Sequence, residues 1–200
     1  MDDRYKTIEN PSEGLFKEKG SRFIAYAFPV STEDEIKEHL FRIKKEHYSA
    51  RHHCYAWRLG ADKVRIRAND DGEPSSSAGK PILGQIQSFG LTNILIVVVR
   101  YFGGTLLGVS GLINAYRSAS KDAIENAHIV EKTVENMLLV EFGYESMNEV
   151  MKIFKDEQLP QIETSFNLNC RIKTSVRLSE SLRIRELLKK NKGVVVRMLE

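Results

Sequence analysis

The spacing of apolar residues predicts a mixed α+β protein. Alternating residues at 13–18 and Ser21–Pro29 predict a β-hairpin, and helical spacing over 33–47 predicts an amphipathic helix. The unbroken apolar run at 93–99 is typical of a strand buried on both faces. Apolar residues at helical spacing over 112–124 predict a long helix. Strands and helices do not alternate strictly in this part of the chain, which favours the α+β class.

Residues 137–200 carry a more regular pattern. Segments of strand and helix periodicity follow one another there in the order β-α-β-β-α-β, which is the ferredoxin-like pattern. The change between the two patterns falls near residues 128–136. We therefore expect two domains, residues 1–132 and residues 133–200.

Composition narrows the class of protein. Hydrophobic residues make up 42% and charged residues 28% of the chain, as in ordinary globular proteins. The longest apolar run is far shorter than the roughly 18 residues of a membrane helix, and the charged N-terminus has no signal-peptide core. Two cysteines without a CxxC motif favour a cytoplasmic protein with no structural metal, and we expect no cofactor. A net charge of +3 is only mildly basic for a nucleic-acid-binding protein.

Two segments concentrate residues suited to binding. The acidic segment, residues 69–81, reads NDDGEPSSSAGKP and enters a predicted helix. The glycine segment, residues 100–111, reads RYFGGTLLGVSG and joins the buried strand to the long helix through four glycines. Unhindered backbone N–H groups near the start of a helix favour anions. Neither a P-loop nor a dinucleotide-binding glycine motif is present.

The acidic residues of the first segment allow two interpretations. Asp70, Asp71 and Glu73 could bind a divalent cation, although their spacing is not that of an EF-hand loop. The alternative is a solvated turn whose geometry is set by Asp71 and Gly72.

Arg100 and Cys54 also leave alternatives open. Arg100 ends the buried strand at its carboxyl end, where α/β sheets often bind ligands, but a salt bridge to Asp70 or Asp71 explains it equally well. Cys54 shares a strand face with His52. A Cys–His nucleophilic pair or a metal corner is one interpretation of these two residues, and half-buried strand positions are the other.

The strand predicted near the C-terminus has one basic face. Arg171, Lys173 and Arg177 share that face, while Ile172 and Val176 share the other. In a β-α-β-β-α-β sheet the apolar face packs under the helices and leaves the basic face open, which is one way to bind single-stranded nucleic acid. The aromatic RNP1 motif is absent, so a charged solvated face or a contact between domains is the alternative.

The two segments, with SRFIA at residues 21–25 and HHCYAW at residues 52–57, resemble the IMPACT family in its bacterial YigZ-like branch. The resemblance implies an N-terminal domain with the ribosomal protein S5 domain 2-like fold. It also implies a C-terminal ferredoxin-like domain similar to domain V of elongation factor G. The surface that the family shares would comprise Asp70, Asp71, Gly72, Glu73, Pro74, Gly79, Lys80, Pro81, Arg100, Tyr101, Phe102, Gly103, Gly104, Gly108 and Gly111.

The chain departs from the family pattern within both segments. Ser76 and Ser77 replace Gly-Thr, Lys80 replaces arginine, Leu106 replaces lysine and Ser110 replaces glycine. Because the lysine at 106 is lost, the surface loses an anion contact, and a phosphate-binding role loses support.

The resemblance also shapes the expected function. Eukaryotic members of the family bind a ribosome-associated activator of a translation-initiation-factor kinase and relieve translational repression. The resemblance implies a non-catalytic binding or regulatory protein that associates with RNA, the ribosome or a translation-associated protein. One alternative is a metal-dependent enzyme acting on a nucleotide or phosphoester, with the metal on Asp70, Asp71 and Glu73 and the phosphate on Lys80 or Arg100. The other is a purely protein-binding adaptor.

Overall fold

The structure is a computed structural model that describes residues 3–61, 64–167 and 169–199. The remaining residues, the outer ends of both predicted domains among them, lie outside the described part of the chain. Internal contacts divide the chain into two units. The first is Tyr5–Lys132, and the second is Thr133–Glu200 together with Met1–Arg4. The chain is an α+β protein, as the sequence predicts.

The first unit is built on a five-stranded antiparallel sheet. The strands of this part of the chain are β1 (Arg4–Ile8), β2 (Ser12–Glu18), β3 (Ser21–Pro29), β4 (His52–Leu59), β5 (Arg65–Asn69), β6 (Ile94–Tyr101) and β7 (Ile129–Thr133). Its helices are α1 (Glu33–Glu46), α2 (Gly79–Ser88) and α3 (Gly108–Glu125). The order of the sheet is β2-β3-β6-β4-β5, and β1 pairs with β7 in a separate two-stranded sheet. None of the helices in the described ranges has the length and apolar character needed to cross a membrane.

Strand β6 lies at the centre of the sheet and is covered on both faces. Alternate residues from Ile94 to Val98 pack in the core formed with α2 and α3. The intervening residues from Leu95 to Val99 pack in a second core with residues of α1. The prediction of a strand buried on both faces is confirmed, because helices cover both sides of this antiparallel sheet.

The sequence pattern does not predict β1 or β7. Most residues of β7 are exposed or half-buried, so the strand has no apolar face that alternation could reveal. Strand β1 places only Thr7 and Ile8 in the interior, at its C-terminal end. The two strands pair across more than a hundred residues of sequence, and a local pattern carries no information about such a pair.

The second unit contains the predicted order of elements. These are β8 (Glu135–Phe142), α4 (Met147–Asp156), β9 (Glu163–Phe166), β10 (Cys170–Arg177), α5 (Ser181–Lys189) and β11 (Val195–Leu199). They form one antiparallel sheet in the order β11-β8-β10-β9. The buried side chains of this sheet form a core of their own with α4 and α5.

Candidate functional site

Asp70 closes the loop that leads into α2. Its Oδ1 accepts hydrogen bonds from the backbone N–H groups of Ala78 (3.0 Å) and Gly79 (2.8 Å), and its Oδ2 accepts one from Ser76 (2.8 Å). Partial burial disfavours the charged form, but the three N–H groups together hold the pKa of Asp70 below its usual value. The cap residue Ala78 has no side-chain acceptor, so Asp70 satisfies the first backbone donors of the helix.

Glu73 joins the acidic segment to the glycine segment. Its Oε1 accepts hydrogen bonds from Nη1 of Arg100 at 2.7 Å and from the hydroxyl of Tyr116 at 2.8 Å. The side chains of Arg100 and Glu73 are only 7% and 3% exposed. The salt bridge considered for Arg100 is present, but the prediction of its partner was wrong. Glu73 turns inward to meet it, whereas Asp70 is held by backbone N–H groups and Asp71 by the start of β4.

The guanidinium of Arg100 lies close to two aromatic rings. Its Cζ is 5.5 Å from the ring centre of Phe23 and 5.6 Å from that of Phe102. The Nε of Arg100 is buried and has no hydrogen-bond partner among the described residues. A buried donor without a partner is unusual in a folded protein, because it has given up water without replacing it.

Cys54 is a buried strand residue with its thiol held in place. Its Sγ lies 2.9 Å from the backbone oxygen of Asp70 and 3.3 Å from the hydroxyl of Tyr116. Burial raises the pKa of the Cys54 thiol far above its usual value, so the sulfur stays protonated at neutral pH. His52 does not activate it, since Nδ1 of His52 is hydrogen-bonded to the backbone oxygen of Asp71. These contacts do not support a nucleophilic pair.

Asp71 and Gly72 form the turn that the sequence suggested. The backbone N–H of Asp71 donates to Oδ1 of Asn69, and its Oδ2 accepts from the backbone N–H of His53 at 2.7 Å. Both turn residues have positive φ, 42° for Asp71 and 87° for Gly72. The turn is therefore tied to β4 by side-chain and backbone contacts rather than only solvated.

Two glycines allow the backbones to approach closely. A Cβ built on Gly103 would lie 1.9 Å from the carbonyl carbon of Gly20, and one built on Gly79 would lie 2.6 Å from the backbone nitrogen of Asn69. No side chain fits at either position without a backbone shift. Both glycines therefore hold the segments in place through packing.

Tyr101 takes part in a polar chain on the other face of the sheet. Its hydroxyl is 2.8 Å from Nδ1 of His47, and Nε2 of His47 is 2.8 Å from the hydroxyl of Tyr26. Burial raises the pKa of Tyr26 to about 12.

The remaining predicted site residues lie at the surface. Pro74, Lys80, Gly104 and Gly108 are exposed, and Gly111 is half-buried.

The basic residues of β10 occupy one face, as predicted. Residues Ile172 and Val176 are buried on the side of the helices, and Arg171, Lys173 and Arg177 alternate with them. Each basic side chain has an acidic partner. The pairs are Arg171–Glu141 (3.0 Å), Lys173–Glu163 (2.9 Å) and Arg177–Asp3 (2.7 Å).

The carboxylates of the acidic segment do not converge on one point. Asp70 binds backbone N–H groups, Asp71 binds the start of β4, and Glu73 binds Arg100 and Tyr116. Across the described ranges, no group of three or more His, Cys, Asp or Glu side chains is arranged to hold a metal ion. Metal binding by these three residues would require their present contacts to break.

The sequence pattern does not single out Tyr116, although it is central to the buried network. By periodicity it belongs only to the apolar stripe of α3, among Ala115, Ala119 and Ala123. The feature of the sequence that could have pointed to Tyr116 is its hydroxyl, because a buried tyrosine hydroxyl usually needs a hydrogen-bond partner. The identity of that partner, Glu73, depends on a contact across 43 residues.

Comparison with known proteins places both segments within one family. The Impact N-terminal domain matches residues 19–124. The chain is 33% identical over 177 residues to the IMPACT family member YvyE of Bacillus subtilis (strain 168), covering 88% of this chain and 82% of that protein. It is 41% identical over 117 residues to the IMPACT family member YigZ of Escherichia coli (strain K12), covering 58% and 57%. The chain belongs to the IMPACT family, and the resemblance read from the motifs is confirmed.

The fold also has a solved counterpart. A crystal structure of a hypothetical protein matches with a TM-score of 0.73 at 25% identity. The match covers 100% of this chain and 99% of that one. The similarity therefore extends over both units and is not confined to the segment that defines the family.

Proposed function

We propose that this chain is a non-catalytic binding protein that associates with RNA in translation, and that the loop of the glycine segment is its main contact. The observation that carries the proposal is the division of that segment into an inner and an outer part. Arg100 is buried against Glu73, whereas Phe102, Leu106 and Val109 are exposed. The charged residues build a rigid support, and the exposed ones present a surface.

The contacts of the reactive groups favour binding over catalysis. The carboxylates of Asp70 and Glu73 are occupied by hydrogen bonds within the protein, and the thiol of Cys54 is protonated and enclosed. An enzyme of the metal-dependent class needs such groups available to a ligand. The contacts therefore indicate that these residues stabilise the fold.

Exposed Phe102 supports RNA as the bound molecule. Its ring is exposed, and the cation of Arg100 lies beside it. Proteins that bind single strands commonly combine positive charge with aromatic rings on which bases stack. Phosphate contacts in the second unit would come from Arg171, Lys173 and Arg177. The ion pairs of Arg171 and Lys173 are partly exposed, and such pairs contribute only about 0–1 kcal/mol, so phosphate groups can exchange with their carboxylates. Arg177 is held more firmly, because the side chain of its partner Asp3 is only 2% exposed.

We further propose that the chain has the two domains that the family resemblance implies, in a cytoplasmic protein, although residues 1–4 pack with the second unit. Residues 1–132 would form the ribosomal protein S5 domain 2-like domain. Residues 133–200 would form the ferredoxin-like domain similar to domain V of elongation factor G. The order β11-β8-β10-β9 of the second sheet and its two helices support this assignment.

Fluorescence anisotropy of a labelled single-stranded RNA tests the proposal. We expect binding that weakens between a low and a higher salt concentration. Phe102→Ala removes the stacking platform and should weaken binding by about 1–3 kcal/mol. Phe41→Ala, which removes an exposed ring from α1, is the matched control and should leave it unchanged. No binding at low salt would overturn the RNA proposal and favour the protein-binding adaptor.

A further inference from the structure

We propose that a pocket at the ends of β4 and β6 binds the phosphate group of a phosphomonoester, with Arg100 as its principal donor. This inference rests on the proposed function, because the phosphomonoester would be a nucleotide or the 5′ end of an RNA. The inference adds to the proposed function the chemical group that is bound, a phosphate, and the pocket that binds it.

The pocket has the size of a small-molecule site. Its volume is about 660 Å³, within the range of roughly 300–1,000 Å³ typical of ligand pockets. It lies between the residues that precede β4 and the loop that follows β6. The residues that line it are Ser49, Ala50, Arg51, His52, Arg100, Tyr101, Phe102 and Leu106.

Arg100 lines this pocket and carries an unused donor. Its Nη1 is taken by Glu73, but its buried Nε has no partner among the described residues. The side chain is only 7% exposed, so it has lost most of its water as well. An oxygen of a bound phosphate would satisfy the Nε–H donor, and charge-assisted contacts between arginine and phosphate are among the strongest hydrogen bonds in proteins.

The charge of the pocket also fits an anion. None of the lining residues of the described chain is acidic. Glu73 neutralises Arg100 from the side of the core, and Arg51 and His52 add cationic or donor groups at the wall. Helix α3 begins two residues after Leu106, without a side-chain cap or an acidic residue in its first turn. Its positive end is therefore not compensated locally.

The loss of the family's lysine at Leu106 does not remove these features. Leu106 contributes an apolar wall, while the buried donor and the cation of Arg51 remain.

The enclosure of Arg100 favours a terminal phosphate over a phosphodiester. A phosphodiester that runs along the surface continues on both sides and does not reach a nearly buried donor, whereas a terminal phosphate can enter the pocket. The exposed ring of Phe102 at the rim can then stack on the base.

The test uses adenosine 5′-monophosphate, adenosine, inorganic phosphate and acetate as probes of the full chain. In a ¹H–¹⁵N spectrum, the Nε–H signal of Arg100 is assigned by its loss in Arg100→Lys. We expect the monophosphate and inorganic phosphate to shift this signal, and adenosine and acetate to leave it in place. Arg51→Gln should weaken binding of the monophosphate about tenfold or more. Arg67→Gln, an exposed arginine of β5 outside the pocket, should leave it unchanged.

Three results would overturn the inference. One is an Arg100 signal that stays in place at saturating monophosphate. Another is equal binding of adenosine and the monophosphate, and the third is an acetate effect as large as that of phosphate. If Arg100→Lys fails to fold, Arg51→Gln and the ligand series still test the inference.

Single-stranded RNA with a 5′-hydroxyl separates this inference from the proposed function. If it binds as tightly as 5′-phosphorylated RNA, the pocket proposal fails and RNA binding stands. If neither RNA binds but the monophosphate shifts Arg100, the RNA proposal fails and the pocket stands.

Discussion

Glu73 and Arg100 form an ion pair that is almost completely withdrawn from solvent, with Nη1 of Arg100 donating to Oε1 of Glu73 at 2.7 Å. The same oxygen accepts from Tyr116, so one carboxylate links the acidic segment, the end of β6 and the middle of α3. Residues that look like a reactive set in the sequence are therefore part of the support of the fold.

Removing Glu73 should destabilise the protein strongly. Glu73→Ala leaves the charge of Arg100 buried without its partner, and we expect a loss of about 3–5 kcal/mol in the free energy of unfolding. Urea denaturation of the variant and the wild type measures this loss. Glu33→Ala breaks the exposed pair with Arg65 and should cost no more than about 1 kcal/mol. Equal losses in the two variants would contradict the inference that burial makes the first pair essential.

Substitution of two glycines by alanine should have opposite effects. Gly103→Ala introduces a Cβ that would meet the backbone of Gly20, and we expect a loss of about 1–3 kcal/mol. Gly84 lies inside α2, and beyond the neighbouring backbone of its own helix an added Cβ would meet no atom of the described residues within 4 Å. Gly84→Ala should therefore raise the stability by about 0.5–1 kcal/mol. Thermal or urea unfolding of the two variants is the measurement, and a stabilised Gly103→Ala would show that the close approach does not exist.

The contribution of Asp70 should depend on pH. Its pKa is lowered in the folded state relative to an ordinary value of 3.8, so its stabilising effect is complete above that value. The effect is lost as the pH falls through the folded-state pKa. Asp70→Asn should cost about 1–2 kcal/mol at neutral pH, and the difference from wild type should shrink as the solution is acidified. Urea unfolding between pH 7 and about 3 measures it. A difference that stays constant with pH would contradict the assignment, and Asp156→Asn, at an exposed position, is the control.

Both cysteines should resist thiol reagents in the folded protein. Cys54 and Cys170 are buried, and burial raises the pKa of Cys54. We expect no labelling by a disulfide reagent at pH 8 on the timescale of minutes, and labelling of both thiols in denaturant. Ser88→Cys, at an exposed position, should be labelled at once in the folded protein. Rapid labelling of native Cys54 would reopen the nucleophilic interpretation.

The basic face of β10 predicts a change in the salt dependence of RNA binding. Replacing Arg171, Lys173 and Arg177 together by alanine should weaken binding. It should reduce the slope of log Kobs against log salt by up to about 2, since each phosphate contact contributes roughly 0.7 for single strands. The control removes the same charge at the exposed residues Lys152 and Lys155 of α4 and Lys190, which follows α5, and should leave the slope unchanged. An unchanged slope in the first variant would rule out this face as the phosphate contact.

Local patterns predicted the elements whose side chains alternate between core and solvent. Helix α1 and strand β10 followed from their periodicity, and β6 followed from its unbroken apolar run. Strands β1 and β7 did not follow, because β7 buries little and its pairing joins distant parts of the chain. The family was recognisable from four short segments because their order and composition are specific.

The sequence by itself determined the α+β class, the order of elements in the second unit, the alternation of charge along β10 and the family. Only the tertiary structure decided that Glu73 is the partner of Arg100, that Cys54 is enclosed beside Tyr116, and that the Nε of Arg100 has no partner within the described part of the chain. The physical reason is one of range. Periodicity reports on neighbours within one element, whereas burial and hydrogen bonding of a charged group depend on residues brought together from distant parts of the chain.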